Sequence, residues 1–110
     1  MISQAFFNSL VYNAERRGHE FSVSLQYLNK LLEKQKYICL LSGRQLILPP
    51  AGHKHKRTQY NLSLDRINPK EGYVVGNLAW VDKDINMSKQ SLTTVEFIHL
   101  CRQVVEHNEP

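Results

Sequence analysis

The chain has 110 residues, of which 42% are hydrophobic and 22% are charged. That size is typical of one globular domain with one modest core, so we expect no second domain within these residues. The 14 Lys and Arg outnumber the 10 Asp and Glu, which gives a formal net charge of +4 and favours a polyanionic partner such as a nucleic acid.

The sequence also argues against membrane proteins and disulfide-rich secreted proteins. No apolar run approaches the roughly 18 residues of a membrane span, and the N-terminus lacks the basic flank and cleavage site of a signal peptide. Cys39 and Cys101 lie far apart, and neither belongs to a CxxC pair. We therefore expect a cytoplasmic protein without a disulfide framework and without membrane contacts.

Residues 1–36 are expected to form a helical support. Apolar residues at helical spacing predict a first helix over 3–17. Leucines repeat at helical spacing after Ser24, which predicts a second helix that begins at this N-cap and ends near Gln35. The alternating residues 21–24 predict a short strand between the two helices.

Residues 37–90 are expected to form the core of the domain. Apolar runs at 37–41 and 46–48 flank a turn and predict two short strands. Residues 51–60, AGHKHKRTQY, have no apolar period and predict a basic loop. Its position places several cationic side chains directly before the next strand.

The second half of this core carries signals for a strand, a turn, a second strand and a helix. Alternating residues over 62–67 predict a strand, and residues 73–81 predict another extended segment after the turn. Residues 82–90 predict a short helix, because acidic residues stand near its positive N-terminal end.

The chain is expected to continue into a C-terminal helix over 91–108. Thr93 and Glu96 form a capping-box pattern at its start. The apolar face of this helix is expected to contain Phe97, Leu100, Cys101 and Val104. Residues 1–110 together therefore predict a single α+β domain.

Three polar residues in the strand, strand and helix segment are candidates for a metal site. Asp65 stands at the end of the first strand, Asn77 at the start of the second, and Asn86 in the helix. A hairpin folded onto this helix would bring Asp65 and Asn86 together around one divalent cation. Carboxylate and amide oxygens are hard ligands, which favours Mg²⁺ or Mn²⁺ over zinc.

On these residues the chain resembles the ββα-metal, or HNH, endonucleases, which are also called His-Me finger nucleases. The resemblance is to small phage and bacterial members that read C-x-x-S-G, S-L-D-R-I, G-Y-x-x-G-N and D-I-N-x-x-K in this order. It covers the chain from about residue 35 onward. It implies a ββα-metal finger at about 62–90, packed against flanking helices, in a metal-dependent endonuclease or nickase that hydrolyses double-stranded DNA.

The resemblance also implies a role for each matching residue. Asp65 and Asn86 would hold one Mg²⁺ or Mn²⁺, which polarises the scissile phosphate. Asn77 would lock the loop between the strands through side-chain bonds to backbone groups. Lys89 follows Asn86 by about one helical turn and would face the bound phosphate.

The chain departs from the family pattern at the general base. The position after the ligand Asp is normally His, but this chain has Arg66, which cannot accept a proton from water. Three explanations stay open. In the first, His53 or His55 of the basic loop supplies the base. In the second, the metal-bound water gives its proton to a phosphate oxygen or to Asp82, and Arg66 binds the phosphate. In the third, the site binds DNA and metal but does not cut. The last explanation gives the alternative function, a catalytically inactive nucleic-acid-binding module.

A second departure concerns zinc. Many HNH domains hold a structural zinc ion between two CxxC pairs. The matching positions here are Cys39 with Ser42 and Asp82 with Ile85, so only one of the four thiols is present. We therefore predict no structural zinc and expect apolar packing in its place.

The remaining basic residues near the motif are candidates for phosphate contacts, which supply nonspecific affinity for DNA. The predicted nucleic-acid-binding residues are Lys54, Lys56, Arg57, Arg66, Lys83 and Lys89. Cutting both strands with one small site would require a homodimer or a larger complex, and the sequence identifies neither.

Overall fold

The computed structural model describes residues 1–50 and 60–109. Within these ranges it is an α+β fold of four helices and a two-stranded antiparallel sheet. No helix in the described ranges combines the length and apolar character needed to cross a membrane. The elements in chain order are α1 (Gln4–Arg16), α2 (Leu25–Lys34), β1 (Leu62–Arg66), β2 (Leu78–Asp82), α3 (Lys83–Lys89) and α4 (Thr94–Asn108).

The first two helices begin at serine caps. The Ser3 hydroxyl accepts a hydrogen bond from the backbone N–H of Phe6 at 3.1 Å, and the Ser24 hydroxyl accepts one from Tyr27 at 3.0 Å. These bonds satisfy N–H groups that have no partner within the helix. The predicted first and second helices are therefore confirmed, with their ends displaced by about one residue.

The sheet and α3 form one continuous strand, strand and helix unit. Leu62 of β1 pairs with Asp82 of β2, and Arg66 pairs with Leu78. All five residues of β2 are buried, and the indole N–H of Trp80 donates to the carbonyl of Leu28 at 2.9 Å. Because α3 begins directly after β2, it packs back on both strands. The predicted first strand and short helix are thus confirmed. The second strand begins at Leu78 and not at residue 73, because the chain turns before it, with the N–H of Asn77 bonded to the carbonyl of Val74 at 3.1 Å.

The hydrophobic core joins α1 and α2 to this unit. It also contains buried residues of the segments between the elements. Its buried members are Ile2, Phe6, Val23, Leu28, Leu32, Cys39, Leu46, Leu62, Leu64, Leu78, Ala79, Trp80 and Val81. In the helical support predicted for residues 1–36, α2 packs directly on β2 and α1 joins the same core.

Three of the predicted short strands are wrong. Within the described residues, segments 21–24 and 37–41 contribute only isolated bridges, from Phe21 to Tyr73 and from Ile38 to Gln45, and segment 46–48 forms no bridge. The segment 37–41 begins with Tyr37 at φ 60°, outside the extended region. It then turns at once, because the N–H of Cys39 bonds to the carbonyl of Arg44 at 2.8 Å.

The predicted C-terminal helix and its capping box are confirmed, but its apolar face is not a core face. Thr93 and Glu96 exchange the two expected hydrogen bonds. Phe97 is buried, whereas Leu100 is 47% exposed and Val104 is 57% exposed. Only the first part of α4 therefore packs on the rest of the described structure.

Candidate active site

A groove of about 620 Å³ brings the predicted metal ligands together. It is lined by residues of α1, β1 and α3, with contributions from the loop after β1. Asp65 and Asn86 both line it. The hairpin places Asp65 near the end of β1, and α3 folds back so that Asn86 lies against the same strand.

The carboxylate of Asp65 is buried and only partly satisfied. Its residue is 5% exposed, and its Oδ1 accepts a hydrogen bond from the Lys89 ammonium at 3.2 Å. Its Oδ2 has no hydrogen-bond partner in the described structure. Burial raises the pKa of this carboxyl group, although the charge and hydrogen bond of Lys89 oppose the rise. A buried oxygen without a partner is costly, so Oδ2 fits a cation ligand.

Asn86 offers a second oxygen on the same groove. Its amide nitrogen donates to the Ser63 hydroxyl at 2.6 Å and to the Leu64 carbonyl at 3.4 Å. These bonds fix the amide nitrogen against β1 and leave the amide oxygen as the hard donor. The residues present thus fit a Mg²⁺ or Mn²⁺ ion.

Few other protein groups are placed to complete a coordination shell. The described residues contain no group of three or more His, Cys, Asp or Glu that could hold a metal ion. Mg²⁺ in proteins is commonly held by one or two carboxylates, with waters and phosphates completing its shell. A cation held by Asp65 and Asn86 would therefore depend on water and phosphate for its remaining ligands.

Lys89 does not lie where the sequence predicted. Its side chain is 1% exposed, and its ammonium donates to Asp65 and to the carbonyl of Arg66 at 2.9 Å. It is absent from the lining of the groove. The prediction that Lys89 faces a bound phosphate is corrected: the ammonium is fixed inside the domain by the buried carboxylate.

Asn77 holds the loop between β1 and β2. Its side-chain oxygen accepts from the N–H of Asn68 at 2.9 Å, and its amide nitrogen donates to the carbonyls of Asn68 and Gly72 at 3.1 and 2.9 Å. The side chain is buried. Asn77 does not itself line the groove, so it acts on the site through the loop conformation.

Arg66 also holds this loop, and part of Arg66 lines the groove. Its guanidinium donates to the carbonyls of Pro69 at 2.9 Å and Glu71 at 3.2 Å, and it lies 5.3 Å from the ring centre of Tyr73. Arg66, at the position where the resemblance implies a general base, is therefore a cation that holds the loop. Its side chain is anchored on the loop.

His19 is a neighbour of Arg66 that the sequence analysis did not identify. Its Nδ1 lies 3.4 Å from the Arg66 guanidinium. Burial and the charges of Arg66 and Arg17 lower the pKa of this imidazole from its ordinary value, which favours its neutral form. The two residues are 47 positions apart, and no local pattern signals their contact.

The groove is more basic than the motif alone predicted. Of the predicted phosphate-binding residues, Arg66 and Lys83 line it. Arg16 and Arg17 at the end of α1 also line it. Their charge alone makes them candidates for phosphate contacts, but the sequence does not give the direction of their side chains. The basic-loop residues predicted for phosphate binding or as the base lie outside the described residues: His53, Lys54, His55, Lys56 and Arg57.

The four positions matched to zinc ligands lie together and are linked by hydrogen bonds. The Ser42 hydroxyl donates to the Asp82 carboxylate at 2.8 Å, and the carboxylate also accepts from the N–H of Ile85 at 3.1 Å. The N–H groups of Ser42 and Asp82 both donate to the Cys39 sulfur. Polar bonds, and not only apolar packing, therefore join this segment to the start of α3. Asp82 is buried there and does not line the groove, which argues against it as a proton acceptor.

Comparison with known proteins gives one distant similarity. The chain is 29% identical over 86 residues to an uncharacterized 29.0 kDa protein in the dda-modA intergenic region of enterobacteria phage T4. The match covers 78% of this chain and 31% of the phage protein, so the chain spans about a third of that protein's length. No family model and no solved structure matches the chain.

Proposed function

We propose that this protein is a metal-dependent endonuclease or nickase of the HNH type that hydrolyses phosphodiester bonds in double-stranded DNA. One Mg²⁺ or Mn²⁺ ion would be held by Asp65 and Asn86. The observation that supports the proposal most strongly is the buried Oδ2 of Asp65, which has no hydrogen-bond partner in the described structure and belongs to a residue that lines the same groove as Asn86.

The surrounding residues have chemistry that suits this reaction. When bound, the cation polarises the scissile phosphate and stabilises the charge on the leaving oxygen. Arg16, Arg17 and Lys83 line the groove and would bind the flanking phosphates. Asn77 and Arg66 hold the loop that follows Asp65, so they would keep the ligand in place.

The general base in this proposal is His53 or His55. Both imidazoles belong to the basic stretch that directly precedes β1. Arg66 cannot serve, because a guanidinium does not give up its proton in proteins. Transfer of the water proton to a phosphate oxygen is the remaining route.

A second candidate function is favoured by the anchoring of Arg66. Its guanidinium is bonded to two loop carbonyls at the position where a base is expected. A domain built in this way could bind DNA in the basic groove without cutting it. The second candidate predicts DNA binding that weakens with salt and no hydrolysis with any divalent metal.

Nicking of supercoiled plasmid in Mg²⁺ or Mn²⁺ tests the proposal. We expect wild type to nick the plasmid and the Asp65→Asn variant to be slower by about a hundredfold or more, because it loses the charged metal ligand. Asp84→Asn is a matched control, since Asp84 is 82% exposed and does not line the groove. Equal nicking by wild type and Asp65→Asn would overturn the nuclease proposal. DNA binding by wild type without nicking in any metal would establish the second candidate.

A further inference from the structure

The candidate metal site is already electrically balanced before a cation arrives. Lys89 is 1% exposed and donates to the carboxylate of Asp65 at 3.2 Å. Since the carbonyl of Arg66 also binds the ammonium, Lys89 is held in this place from two directions. The pair of side chains contributes no net formal charge.

The rest of the groove opposes a cation. Asp65 is its only acidic residue among the described residues. The basic residues that line it are Arg16, Arg17, Arg66 and Lys83. Without DNA, a divalent cation that enters the groove therefore meets one carboxylate already neutralised by Lys89 and several positive side chains. These side chains repel the cation over several ångströms, because the site is partly shielded from water.

A DNA phosphate reverses this balance. It brings the negative charge that the basic groove attracts, and its oxygens are hard ligands of the kind that Mg²⁺ and Mn²⁺ prefer. A cation and a phosphate bound side by side each improve the site for the other. The coupling is reciprocal: if the bound phosphate raises the affinity of the site for the cation by some factor, the bound cation raises the affinity for the phosphate by the same factor.

We infer that the divalent cation and the DNA phosphate bind this site together, and that Lys89 is the positioning residue that keeps the cation from binding tightly by itself. The inference rests on the proposed function, because it takes Asp65 and Asn86 as the cation ligands. It assigns Lys89 a role through Asp65 and no contact with DNA.

Electron paramagnetic resonance of free Mn²⁺ tests the inference without any measurement of activity. Mn²⁺ is titrated into wild type alone, a short DNA duplex alone and the complex of the two. We expect the apparent Mn²⁺ dissociation constant of the protein to fall by about tenfold or more when the duplex is bound, beyond the Mn²⁺ that the duplex binds alone. Asp65→Asn should remove this difference.

Two substitutions at position 89 separate charge from simple packing. Lys89→Met removes the ammonium and leaves the cation as the main counter-ion of Asp65. We therefore expect tighter Mn²⁺ binding without DNA and a smaller gain on adding DNA. Lys89→Arg keeps the positive charge and should keep the coupling. Lys30→Met makes the same change at an exposed lysine of α2 outside the groove, and it should match wild type.

The outcomes distinguish this inference from the proposed function. If wild type nicks plasmid but binds Mn²⁺ equally well with and without the duplex, the inference is overturned and the nuclease proposal stands. If Lys89→Met keeps a native circular dichroism spectrum and binds Mn²⁺ no more tightly than wild type, the role of Lys89 is overturned. If no metal supports nicking although DNA and Mn²⁺ bind cooperatively, the inference stands and the nuclease proposal fails. The comparison with and without duplex needs no variant, so it remains decisive if Lys89→Met does not fold.

Discussion

The side chain of Asn77 makes three hydrogen bonds to the backbone of a single loop. Its partners are Asn68 near the start of the loop and Gly72 in the middle. Residue 68 follows β1 by two positions, so these bonds fix the chain directly after Asp65 and Arg66. Replacing the amide would leave half-buried backbone groups of Asn68 and Gly72 without these partners, which is more costly than losing one exposed bond.

We expect Asn77→Ala to lower the free energy of unfolding by about 2–4 kcal/mol, because three half-buried hydrogen bonds are lost together. Urea denaturation followed by tryptophan fluorescence measures this change. Asn108→Ala is the control, since Asn108 is exposed and bonds only to the carbonyl of Val104, so a loss below about 0.5 kcal/mol is expected. Similar values for the two variants would show that the loop bonds contribute little.

At the scale of elements, the start of α3 depends on a buried charge. The Asp82 carboxylate caps the helix through the N–H of Ile85, accepts from the Ser42 hydroxyl and lies 3.5 Å from Arg44. Burial by itself would raise the pKa of Asp82, but these bonds outweigh burial and hold the pKa below its usual value of 3.8. The ionised form therefore stabilises the native state.

This pKa shift predicts a pH-dependent effect of Asp82→Asn. A lowered native pKa gives stability that is present above the unfolded pKa of about 3.9 and lost as the pH falls through the native pKa. We expect Asp82→Asn to reduce the free energy of unfolding by about 1–2 kcal/mol at pH 7, because charge-assisted bonds become neutral ones. The difference from wild type should shrink as the pH falls below 3.8.

Urea denaturation at pH 7 and near pH 3 measures that difference for both proteins. Asp84→Asn changes an exposed carboxylate in the first turn of the same helix, so a smaller loss of about 0.5 kcal/mol is expected at pH 7. A difference between wild type and Asp82→Asn that stays constant with pH would contradict the assignment of the effect to the charge.

The elements that could be predicted from the sequence are those with local signals at their ends. Ser24 and the Thr93 capping box mark helix starts through bonds within three residues, and both signals are confirmed. The segment 37–41 has the apolar composition of a strand, but a single buried cysteine anchors it as a turn. Strand formation needs a partner strand, which composition alone does not identify.

The candidate site could be predicted in part for the same reason. Asp65 and Asn86 belong to adjacent elements of one hairpin and helix, so sequence order already placed them on the same groove. Lys89 lies one turn beyond Asn86, but its direction depends on a buried carboxylate on another element. A lysine that is solvated in most helices is therefore buried here, which local spacing could not predict.

At the scale of the whole molecule, the groove has walls from distant parts of the chain. The end of α1 contributes Arg16 and Arg17, about 50 residues before Asp65 in sequence. The core packing of α1 and α2 against the sheet brings these arginines to the site. The end of α1 thus supplies two of the four cationic residues that line the groove in the described part of the chain, in addition to the supporting role predicted for the N-terminal helices.

The two arginines of α1 predict a specific change in the salt dependence of DNA binding. Each contact between a cationic side chain and a DNA phosphate releases condensed counterions. It therefore makes the slope of a plot of the logarithm of the binding constant against the logarithm of salt concentration more negative by about 0.9. We expect the double variant Arg16→Gln, Arg17→Gln to reduce the steepness of that plot by about 1.8 if both contact phosphate. Fluorescence anisotropy of a labelled duplex over a range of salt concentrations, without divalent metal, measures the slope.

A control variant separates phosphate contact from net charge as the cause of the smaller salt slope. Lys30→Gln with Lys34→Gln removes the same two charges from the exposed side of α2, and neither lysine lines the groove. Charges that do not contact phosphate release few counterions, so this control should lower affinity slightly and leave the slope near that of wild type. Equal slopes for the two double variants would mean that DNA does not lie along α1. A reduced slope for the arginine variant alone would place the duplex between α1 and the strand, strand and helix unit, with its phosphates beside Asp65 and Asn86.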